Sequence, residues 1–371
     1  EIITVEALKK IYHLAKSGAT IVLGQRRPKT VPGLNNYPEG EKKIHQLSKK
    51  LWPEKRKVPH RTSIGKGEIY TGTNVDKVFE DKGILPDFEG PFEYIHRKSE
   101  NLDIYFISGI EATYQVYKIN LESERISQLT EGRHNYSSLE LSGDKLIAGK
   151  MAMDMATELF LLDKEGESKQ ITNVNKHIYD NIEMGKIRKE WVETTDGKQM
   201  LVWEILPPGF DESKEYPSIL YCQGGPQSAV SQFFSYRWNF EIMAANGYVV
   251  VAPNRRGLPT FGTEWNEQIS GDYPGQNMKD YLTAADYFKQ KEYIADDKMG
   301  AIGASYGGFS VYWLAGHHEG RFSAFISHCG MFNLESMYNS TEEYWFVNKD
   351  FGGAYWDKDN EIAQRTYKNS P

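Results

Sequence analysis

The sequence predicts an α/β protein whose C-terminal half is a doubly wound, mostly parallel sheet. Three observations predict this fold. From about residue 186 onward, apolar strand segments alternate with helical stretches; residues from about 112 to 175 show short alternating β segments; and residues 1–90 again alternate helix and strand. Parallel strands need long crossover connections, which are usually helices, so this alternation favours a parallel sheet. We therefore expect three parts, residues 1–107, 108–185 and 186–371.

The first part is predicted to be a small flavodoxin-like α/β fragment. Apolar residues recur at helical spacing from Val5 to Ala15, and Gly18 follows, a residue type that readily ends a helix in the left-handed conformation. The same patterns predict further strands at 19–23 and 67–70 and further helices at 41–51 and 74–82. The strands are expected to form a small parallel layer.

Residues 108–185 are predicted to form part of a β-propeller. Strand patterns occur here at 114–119, 126–130, 157–162 and 170–172. Thr130 and Thr172 end equivalent strands and lie 42 residues apart. Successive four-stranded propeller blades repeat about every 40–45 residues. One repeat step is too short to close a ring of about 4–8 blades, so only a partial propeller is expected.

Residues 186–371 carry the strand–helix alternation that predicts the doubly wound sheet. Strands are predicted at 199–206, 216–221, 248–253, 299–302 and 324–328, and helices at 240–246, 278–290 and 309–317. The segment from Glu342 to Pro371 is predicted to be irregular. No strand is therefore expected after residue 328.

Composition and charge exclude several classes of function. The 44 basic and 51 acidic side chains give a net charge of −7, so no cationic field would attract nucleic acid, and none is expected as a partner. Apolar stretches such as Tyr248–Ala252 are far shorter than the ~20 residues of a membrane helix, so no membrane partner is expected. Two cysteines, Cys222 and Cys329, exclude a disulfide framework and a cysteine-based zinc site. The chain begins at Glu1 without a signal-peptide pattern, and we expect it to start inside a longer protein.

The strongest chemical signal is a Gly-x-Ser-x-Gly motif at residues 303–307 (Gly-Ala-Ser-Tyr-Gly). It follows the predicted strand 299–302 and precedes a helix that begins near Phe309. In a nucleophile elbow, a serine occupies a strained strand-to-helix turn, and small flanking residues let its hydroxyl project. Because a strand and a helix flank the motif, a chance match in a loop is disfavoured. Ser305 is predicted to be a catalytic nucleophile.

Acyl transfer by a serine also needs hydrogen-bond donors at the developing oxyanion. One is typically the backbone N–H of the residue after the nucleophile, here Tyr306. The other comes from an earlier strand-to-helix loop, and residues 222–226 (Cys-Gln-Gly-Gly-Pro) directly follow a predicted strand. Paired glycines let an amide face the site without an intervening side chain, so Gly225 or Gly224 is predicted to be the second donor. Alternatively, the glycines only form a turn.

These motifs resemble a known family. Residues from about 108 to 371 look like a serine peptidase of the prolyl oligopeptidase family, in the branch of acylaminoacyl peptidases and dipeptidyl peptidases. The matching segments are 201–203, 207–210, 222–227, 254–257, 271–280, 303–308, 351–353 and 369–371. The resemblance implies an α/β-hydrolase domain, a propeller that restricts access to short peptides, no metal or cofactor, and release of short N-terminal units through an acyl-enzyme on Ser305.

The resemblance also implies where a peptide binds. It places Gln223, Tyr306, Met331 and Phe332 around the substrate. Relatives often have Tyr or His at the position of Gln223. The apolar side chains imply a preference for an apolar substrate residue before the cleaved bond. For the apolar side chains, packing in the core is an equal alternative. The pair 255–256 (Arg-Arg) is instead predicted to order a loop through ion pairs.

In this family the catalytic Asp and His follow the serine in the chain. Because no strand is predicted after residue 328, both are expected beyond Pro371, and the chain alone is expected to be inactive. His317, His318 and His328 are interpreted as helix-end or packed side chains, not as a substitute base.

Residues 1–107 resemble a different family, an internal segment of bacterial alpha-L-rhamnosidases. The matching segments are 16–24, 32–34, 37–39, 51–52, 65–67, 84–88, 94–97 and 103–106. Inverting glycoside hydrolysis needs two carboxylates about 6.5–9.5 Å apart, and Glu39 and Asp87 are interpreted as structural instead. The alternative functions are thus a carbohydrate-active protein or a non-catalytic chimeric fragment. The peptidase resemblance implies a periplasmic or cytoplasmic location in a bacterium.

Overall fold

The structure of the protein is a computed structural model that describes residues 2–32, 37–52, 60–84, 94–95, 103–143 and 145–371. The chain forms two compact units, Glu1–Gly90 and Pro91–Pro371. Parts of the segments that resemble rhamnosidases, residues 33–34, 85–88 and 96–97, lie outside the described residues. Within the described ranges, no helix is both long and apolar enough to span a bilayer.

The first unit is a three-stranded sheet with helices. Its elements are α1 (Val5–Ser17), β1 (Thr20–Leu23), α2 (Glu39–Leu51), β2 (His60–Ile64), β3 (Gly67–Thr71) and α3 (Val75–Asp81). The Thr4 hydroxyl caps α1 by accepting a hydrogen bond from the Ala7 N–H at 3.1 Å. Gly18 ends the helix at a φ of 120°.

The sheet of this unit is mixed, whereas the sequence predicts a parallel layer. β1 and β3 are parallel as predicted, but β2 pairs antiparallel with the other edge of β3. β2 was not predicted, because it is mostly polar and has no fully buried residue. The core of the unit lies between β3 and the helices, where Leu8, Ile44 and Ile69 are fully buried.

The second unit begins with two four-stranded antiparallel meanders. The first contains β4 (Tyr94–Ile95), β5 (Asp103–Ile110), β6 (Thr113–Asn120) and β7 (Arg125–Gln128). The second contains β8 (Asn135–Ser142), β9 (Lys145–Ala152), β10 (Met155–Leu162) and β11 (Ser168–Gln170). A single parallel pairing of Tyr114 with Asn135 joins them. Successive four-stranded antiparallel sheets are the building units of β-propellers.

The two meanders repeat the same contacts at a spacing of 42 or 43 residues. In each meander a glutamine side chain donates to the backbone carbonyl of the residue two positions later. Gln128 donates to Thr130 at 2.9 Å, and Gln170 donates to Thr172 at 2.8 Å. Each threonine hydroxyl also accepts a backbone N–H from the neighbouring strand, at 2.9 and 2.8 Å. The repeat therefore holds at the level of individual hydrogen bonds.

The predicted boundary at residue 107 falls inside a strand. β5 pairs with β6 along its whole length, and β4 pairs with β5. Residues 94–95 and 103–107 therefore belong to the first meander and not to the preceding fragment, because their backbone hydrogen bonds are made there.

The rest of the second unit is a six-stranded sheet covered by helices. Its strands, in the spatial order β12–β13–β15–β14–β16–β17, are β12 (Lys186–Glu193), β13 (Gln199–Leu206), β14 (Tyr216–Cys222), β15 (Val249–Pro253), β16 (Ile294–Ala304) and β17 (Ala324–His328). The helices are α4 (Lys176–Tyr179), which precedes the sheet, α5 (Phe240–Ala245), α6 (Thr263–Glu267), α7 (Gln276–Lys289), α8 (Tyr306–His317), α9 (Leu334–Ser340), α10 (Tyr344–Asp350) and α11 (Glu361–Lys368). Four neighbouring strands of this sheet, β15, β14, β16 and β17, are parallel to one another. This confirms the predicted α/β-hydrolase-like sheet.

Two expectations about this domain are wrong. β12 was not predicted, because it is an edge strand in which only Val192 is buried. Half of the segment predicted to be irregular, Glu342 to Pro371, is helical, in α10 and α11. α11 is short and polar, and it begins where the Asn360 side chain accepts a hydrogen bond from the Ala363 N–H at 3.1 Å. At eight residues, α11 is too short for its apolar pattern to distinguish a helix from a loop in the sequence.

β13 carries a carboxylate in the core. Glu204 is fully buried, and its Oε1 accepts a hydrogen bond of 2.6 Å from the Tyr293 hydroxyl. Nη1 of Arg188 lies 3.8 Å from Oε2, which has no hydrogen-bond partner in the described structure. Burial raises the pKa of the Glu204 carboxyl above its ordinary value, and the Tyr293 hydrogen bond and nearby cations oppose this only in part.

We predict that Glu204→Gln stabilises the protein at neutral pH. Because the folded-state pKa is raised, the contribution of the Glu204 carboxyl to stability is fully present below the unfolded pKa near 4.5 and is lost as the pH rises through the folded pKa. Gln cannot ionise and keeps an acceptor for Tyr293. The variant should therefore gain about 1 kcal/mol or more in free energy of unfolding at neutral pH and little in acid.

Urea unfolding at about pH 4 and pH 7 measures this difference. Glu212→Gln is the matched control, because Glu212 pairs with the same Arg188 but its side chain is 68% exposed. A gain of equal size at both pH values for Glu204→Gln would contradict the prediction.

Candidate active site

Ser305 occupies the turn between β16 and α8. Its backbone has φ 58° and ψ −121°, a conformation that L residues rarely adopt. The Ser305 N–H donates to the His328 carbonyl at 2.9 Å, which ties the turn to the end of β17. The Ser305 side chain is exposed, although its neighbours Ala304 and Tyr306 are buried. This is the strained strand-to-helix geometry that the motif predicts.

Glycines make this turn sterically feasible. A Cβ on Gly307 would lie 2.0 Å from the carbonyl oxygen of Cys222, at the end of β14. A Cβ on Gly303 would lie 2.5 Å from the Gly307 carbonyl oxygen. Both distances are far inside van der Waals contact, so a side chain at either position would push α8 away from β14. α8 therefore starts directly against the end of β14.

An open cavity of about 270 Å³ lies beside Ser305. It is lined by residues of β14 and its following loop and by the elbow, namely Tyr221, Gln223, Gly224, Gly225, Ser228, Phe233, Ser235, Arg237, Trp238, Ala304 and Ser305. Among the described residues, Arg237 is the only one in the lining with a charged side chain at neutral pH. No His, Asp or Glu lines this cavity among the residues that the structure describes.

Backbone amides from two elements lie beside Ser305. A Cβ on Gly224 would lie 3.6 Å from the Ser305 Cβ, so the glycine loop, residues 223–226, lies directly against the elbow. In the described part of the chain, the N–H groups of Gly224, Gly225 and Tyr306 have no hydrogen-bond acceptor. The Tyr306 N–H also belongs to the first turn of α8, where the helix dipole favours negative charge. These groups are the kind of donors that an oxyanion requires.

The side chains of Tyr306, Met331 and Phe332 do not line this cavity, which corrects the predicted pocket wall. The Tyr306 ring is buried in the core. There its hydroxyl donates to the Tyr273 carbonyl at 2.5 Å and accepts a hydrogen bond from Asn277 of α7. Met331 packs against the main core, and Phe332 is exposed at the surface. The alternative of core packing therefore describes Tyr306 and Met331.

Gln223 lines the cavity, but several of its polar groups already have partners. Its N–H donates to the Tyr281 hydroxyl at 3.0 Å, and its Nε2 donates to the Ser228 hydroxyl at 3.3 Å. Its carbonyl accepts a hydrogen bond from Arg255 at 3.4 Å. The bonds that the Gln223 backbone makes with Tyr281 and Arg255 hold the glycine loop in place.

The two arginines after β15 order different loops. Arg256 forms ion pairs with Asp196, in the β12–β13 turn, and with Asp280 of α7. Its guanidinium holds the pKa of the Asp196 carboxyl well below its usual value. Arg256 thus orders a loop through ion pairs, as predicted. Arg255 has no such pair among the described residues and binds backbone carbonyls of the glycine loop instead.

The sequence analysis missed the segment that follows the glycine loop. Phe233, Ser235, Arg237 and Trp238 line the cavity and lie between β14 and α5. No motif or periodicity marks them. Only the position of the segment after a predicted strand could have indicated it, because loops after the carboxyl ends of parallel strands commonly form the ligand sites of α/β proteins.

The second meander contacts this segment. The Asn135 side chain donates to the Ser231 hydroxyl at 2.9 Å, and both residues are buried. The Phe234 N–H donates to the sulfur of Met151 at 3.3 Å. One wall of the cavity is therefore braced by β8 and β9.

Other candidate residues do not join the cavity. His317 Nδ1 lies 2.7 Å from the Trp313 carbonyl oxygen, at the end of α8. In the first unit, Glu39 forms an exposed ion pair with Lys42 at 3.5 Å, and Asp87 lies outside the described residues. The described residues include no group of three or more His, Cys, Asp or Glu side chains that could hold a metal ion.

Sequence comparisons identify relatives for both parts of the chain. The Prolyl oligopeptidase family matches residues 234–370, and the alpha-L-rhamnosidase family matches residues 1–129. The chain is 50% identical to Dipeptidyl-peptidase 5 of Porphyromonas gingivalis over 78% of this chain and 42% of that protein. Over most of its length, the chain is a homologue of dipeptidyl-peptidase 5 in the prolyl oligopeptidase family. Both resemblances inferred from the sequence are thereby confirmed.

Other relatives agree with this family. Dipeptidyl-peptidase 5 of Porphyromonas endodontalis is 54% identical over 72% of this chain and 39% of that protein. The chain thus spans less than half the length of both curated relatives. Acylaminoacyl peptidase of Pyrococcus horikoshii superimposes with a TM-score of 0.65 at 23% identity, over 74% of this chain and 43% of that structure. This structural likeness supports the fold alone.

We predict that Gly307→Ala disrupts the elbow of this dipeptidyl-peptidase 5 homologue. The added methyl group would lie 2.0 Å from the Cys222 carbonyl oxygen, so α8 must move away from β14. We expect a loss of about 2–3 kcal/mol in the free energy of unfolding. Urea unfolding measures this change.

Gly316→Ala is the matched control for this variant. Gly316 lies in the same helix, and nothing lies within 4 Å of a Cβ added there. Its substitution should stabilise the helix by about 0.5–1 kcal/mol. The packing argument fails if the two variants are equally stable.

Proposed function

We propose that the protein is a serine peptidase of the dipeptidyl-peptidase 5 type, with Ser305 as its nucleophile. One observation carries the proposal: Ser305 stands exposed on a strained strand-to-helix turn, beside an open cavity and backbone amides that have no acceptor among the described residues. Short peptides are the proposed substrates, and dipeptides the proposed products. The names of the two Porphyromonas relatives support this substrate class.

The proposed reaction passes through an acyl-enzyme. Ser305 Oγ attacks the carbonyl carbon of the peptide bond, and its proton passes to a base. The carbonyl oxygen becomes an oxyanion that accepts hydrogen bonds from the N–H group of Tyr306 and from that of Gly225 or Gly224 in the glycine loop. The C–N bond then breaks, the amine leaves with a proton, and Ser305 carries the acyl group as an ester. Water hydrolyses the ester and restores the serine.

The cavity wall favours an apolar group next to the cleaved bond. Tyr221, Phe233 and Trp238 contribute aromatic rings to the lining, and Arg237 contributes the only charged side chain among its described residues. We propose that these aromatic side chains, rather than Met331 and Phe332, contact the acyl part of the peptide. Aromatic walls with few polar groups are typical of pockets for small ligands.

The described cavity supplies no base for Ser305, since no His, Asp or Glu belongs to its described lining. A serine hydroxyl without a base is a weak nucleophile at neutral pH. We therefore propose that this chain by itself is acylated slowly and turns over peptides very poorly. A small base in solution, such as imidazole, should accelerate the acylation.

We predict that a fluorophosphonate probe labels Ser305 when imidazole is present. Fluoride is a good leaving group and needs no protonation, so the reaction tests the attack step alone. Mass spectrometry of proteolytic fragments locates the adduct. Ser305→Ala should lose the adduct at the elbow.

Ser228→Ala is the matched control for this experiment. Ser228 is an exposed hydroxyl in the lining of the same cavity, but it lies on an ordinary loop. Its removal should leave labelling of Ser305 in place. Equal labelling of wild type and Ser305→Ala would refute the assignment of the nucleophile, and so would an unlabelled wild type in imidazole.

A further inference from the structure

Arg255 packs against the glycine loop from the side of the core. Its side chain is fully buried. Nη1 donates to the carbonyl oxygens of Pro226 and Arg256 at 2.9 and 2.6 Å. Nη2 donates to the Gln223 carbonyl at 3.4 Å, and Nε donates to the Tyr281 hydroxyl at 3.2 Å. One guanidinium therefore holds both ends of the glycine loop.

The bond to Gln223 also sets the direction of the next amide. In a trans peptide unit, the C=O of one residue and the N–H of the next lie in one plane and point in opposite directions. The peptide unit between Gln223 and Gly224 is trans. Because its C=O turns toward Arg255, the Gly224 N–H turns away from the guanidinium. Gly224 lines the cavity, and its N–H has no acceptor within the described residues.

The charge of Arg255 is not neutralised by a carboxylate at ion-pair distance in the part of the chain that the structure describes. Aromatic rings lie beside it instead: its Cζ lies 4.6 Å from the ring centre of Tyr306 and 5.8 Å from that of Tyr281. The next residue, Arg256, is by contrast paired with two aspartates. A buried cation acts over a longer range than an exposed one, because little water or salt screens it.

Tyr306 connects this charge with the nucleophile turn. Its ring packs on the guanidinium of Arg255, and its backbone N–H is the amide that follows Ser305. The amides of Gly224 and Gly225, which also have no acceptor in the described structure, belong to the loop that Arg255 holds. A single cation thus contacts both sources of oxyanion donors. Its charge also has the sign that favours an oxyanion.

We propose that Arg255 is a positioning residue for the oxyanion site: its guanidinium orients the amides of the glycine loop, and its buried charge favours negative charge beside Ser305. This inference rests on the proposed function, since it concerns the same site. Arg255 acts through Gln223, Pro226 and Tyr306 and makes no contact with the substrate.

A single labelled peptide unit reports on this arrangement. The dipeptide Gln-Gly occurs once in the chain, at Gln223-Gly224. Protein made with carbonyl-13C glutamine and 15N glycine therefore gives one carbonyl-correlated amide signal in NMR spectra. We expect Arg255→Met and Arg255→Lys to move this signal, because the hydrogen bond to the carbonyl is lost or altered. Arg256→Lys, the matched control in the same turn, should leave it in place.

The rate at which the fluorophosphonate labels Ser305 is the second readout. At equal imidazole concentration, Arg255→Met should react about tenfold or more slowly than wild type, because both the loop orientation and the charge are lost. Arg255→Lys keeps the charge and should recover part of the rate. A residue that only stabilises the fold would lower the melting temperature of both variants without separating their rates.

Two results would overturn the inference: an unchanged Gln223–Gly224 signal in both Arg255 variants, or equal labelling rates for Arg255→Met and wild type. If wild type itself is not labelled, the proposed nucleophile fails, whereas the NMR signal still decides whether Arg255 orients the loop. If Arg255→Met does not melt cooperatively, the NMR signal and the labelling rate of Arg255→Lys are compared with those of Arg256→Lys instead.

Discussion

The close approach of α8 to the end of β14 is the constraint on which the candidate site depends. Gly307 lies against the Cys222 carbonyl with no room for a side chain. Because the glycine loop continues β14, this contact brings the first turn of α8 beside that loop. Ser305 is then exposed at a φ of 58°. Pairing of β16 with β14 and β17 sustains the strained turn from both sides.

The electrostatics of the site follow from the same contact. The chain has a net charge of −7, yet the surroundings of Ser305 are positive. The N-terminus of α8, the buried Arg255 and the exposed Arg237 all lie on or near the cavity. The carboxylate of Asp280 in α7 is paired with Arg256. The fold thus separates its charges so that negative charge can develop beside Ser305.

Sequence resemblance and backbone pairing divide the chain at different places. The rhamnosidase match extends to residue 129, and the P. gingivalis relative matches 78% of the chain, so the two matches overlap. In the structure, β5, β6 and β7 pair with one another within the second unit. That unit also contains the contact between Asn135 and Ser231, through which a meander braces the wall of the cavity. β5, β6 and β7, which lie where the two matches overlap, therefore belong to the same unit as the candidate site.

The sequence by itself determined the local features: the turn around Ser305, the glycine pair, the 42-residue repeat and the alternation of strands and helices. Only the tertiary structure decided that the Tyr306 side chain belongs to the core, that Arg255 holds carbonyls while Arg256 holds carboxylates, and that polar edge segments such as β12 join the sheets. Turns and amphipathic patterns depend on neighbours in the chain, which the sequence displays. Burial and charge pairing depend on residues far apart in the chain, which meet only when the sheet has formed.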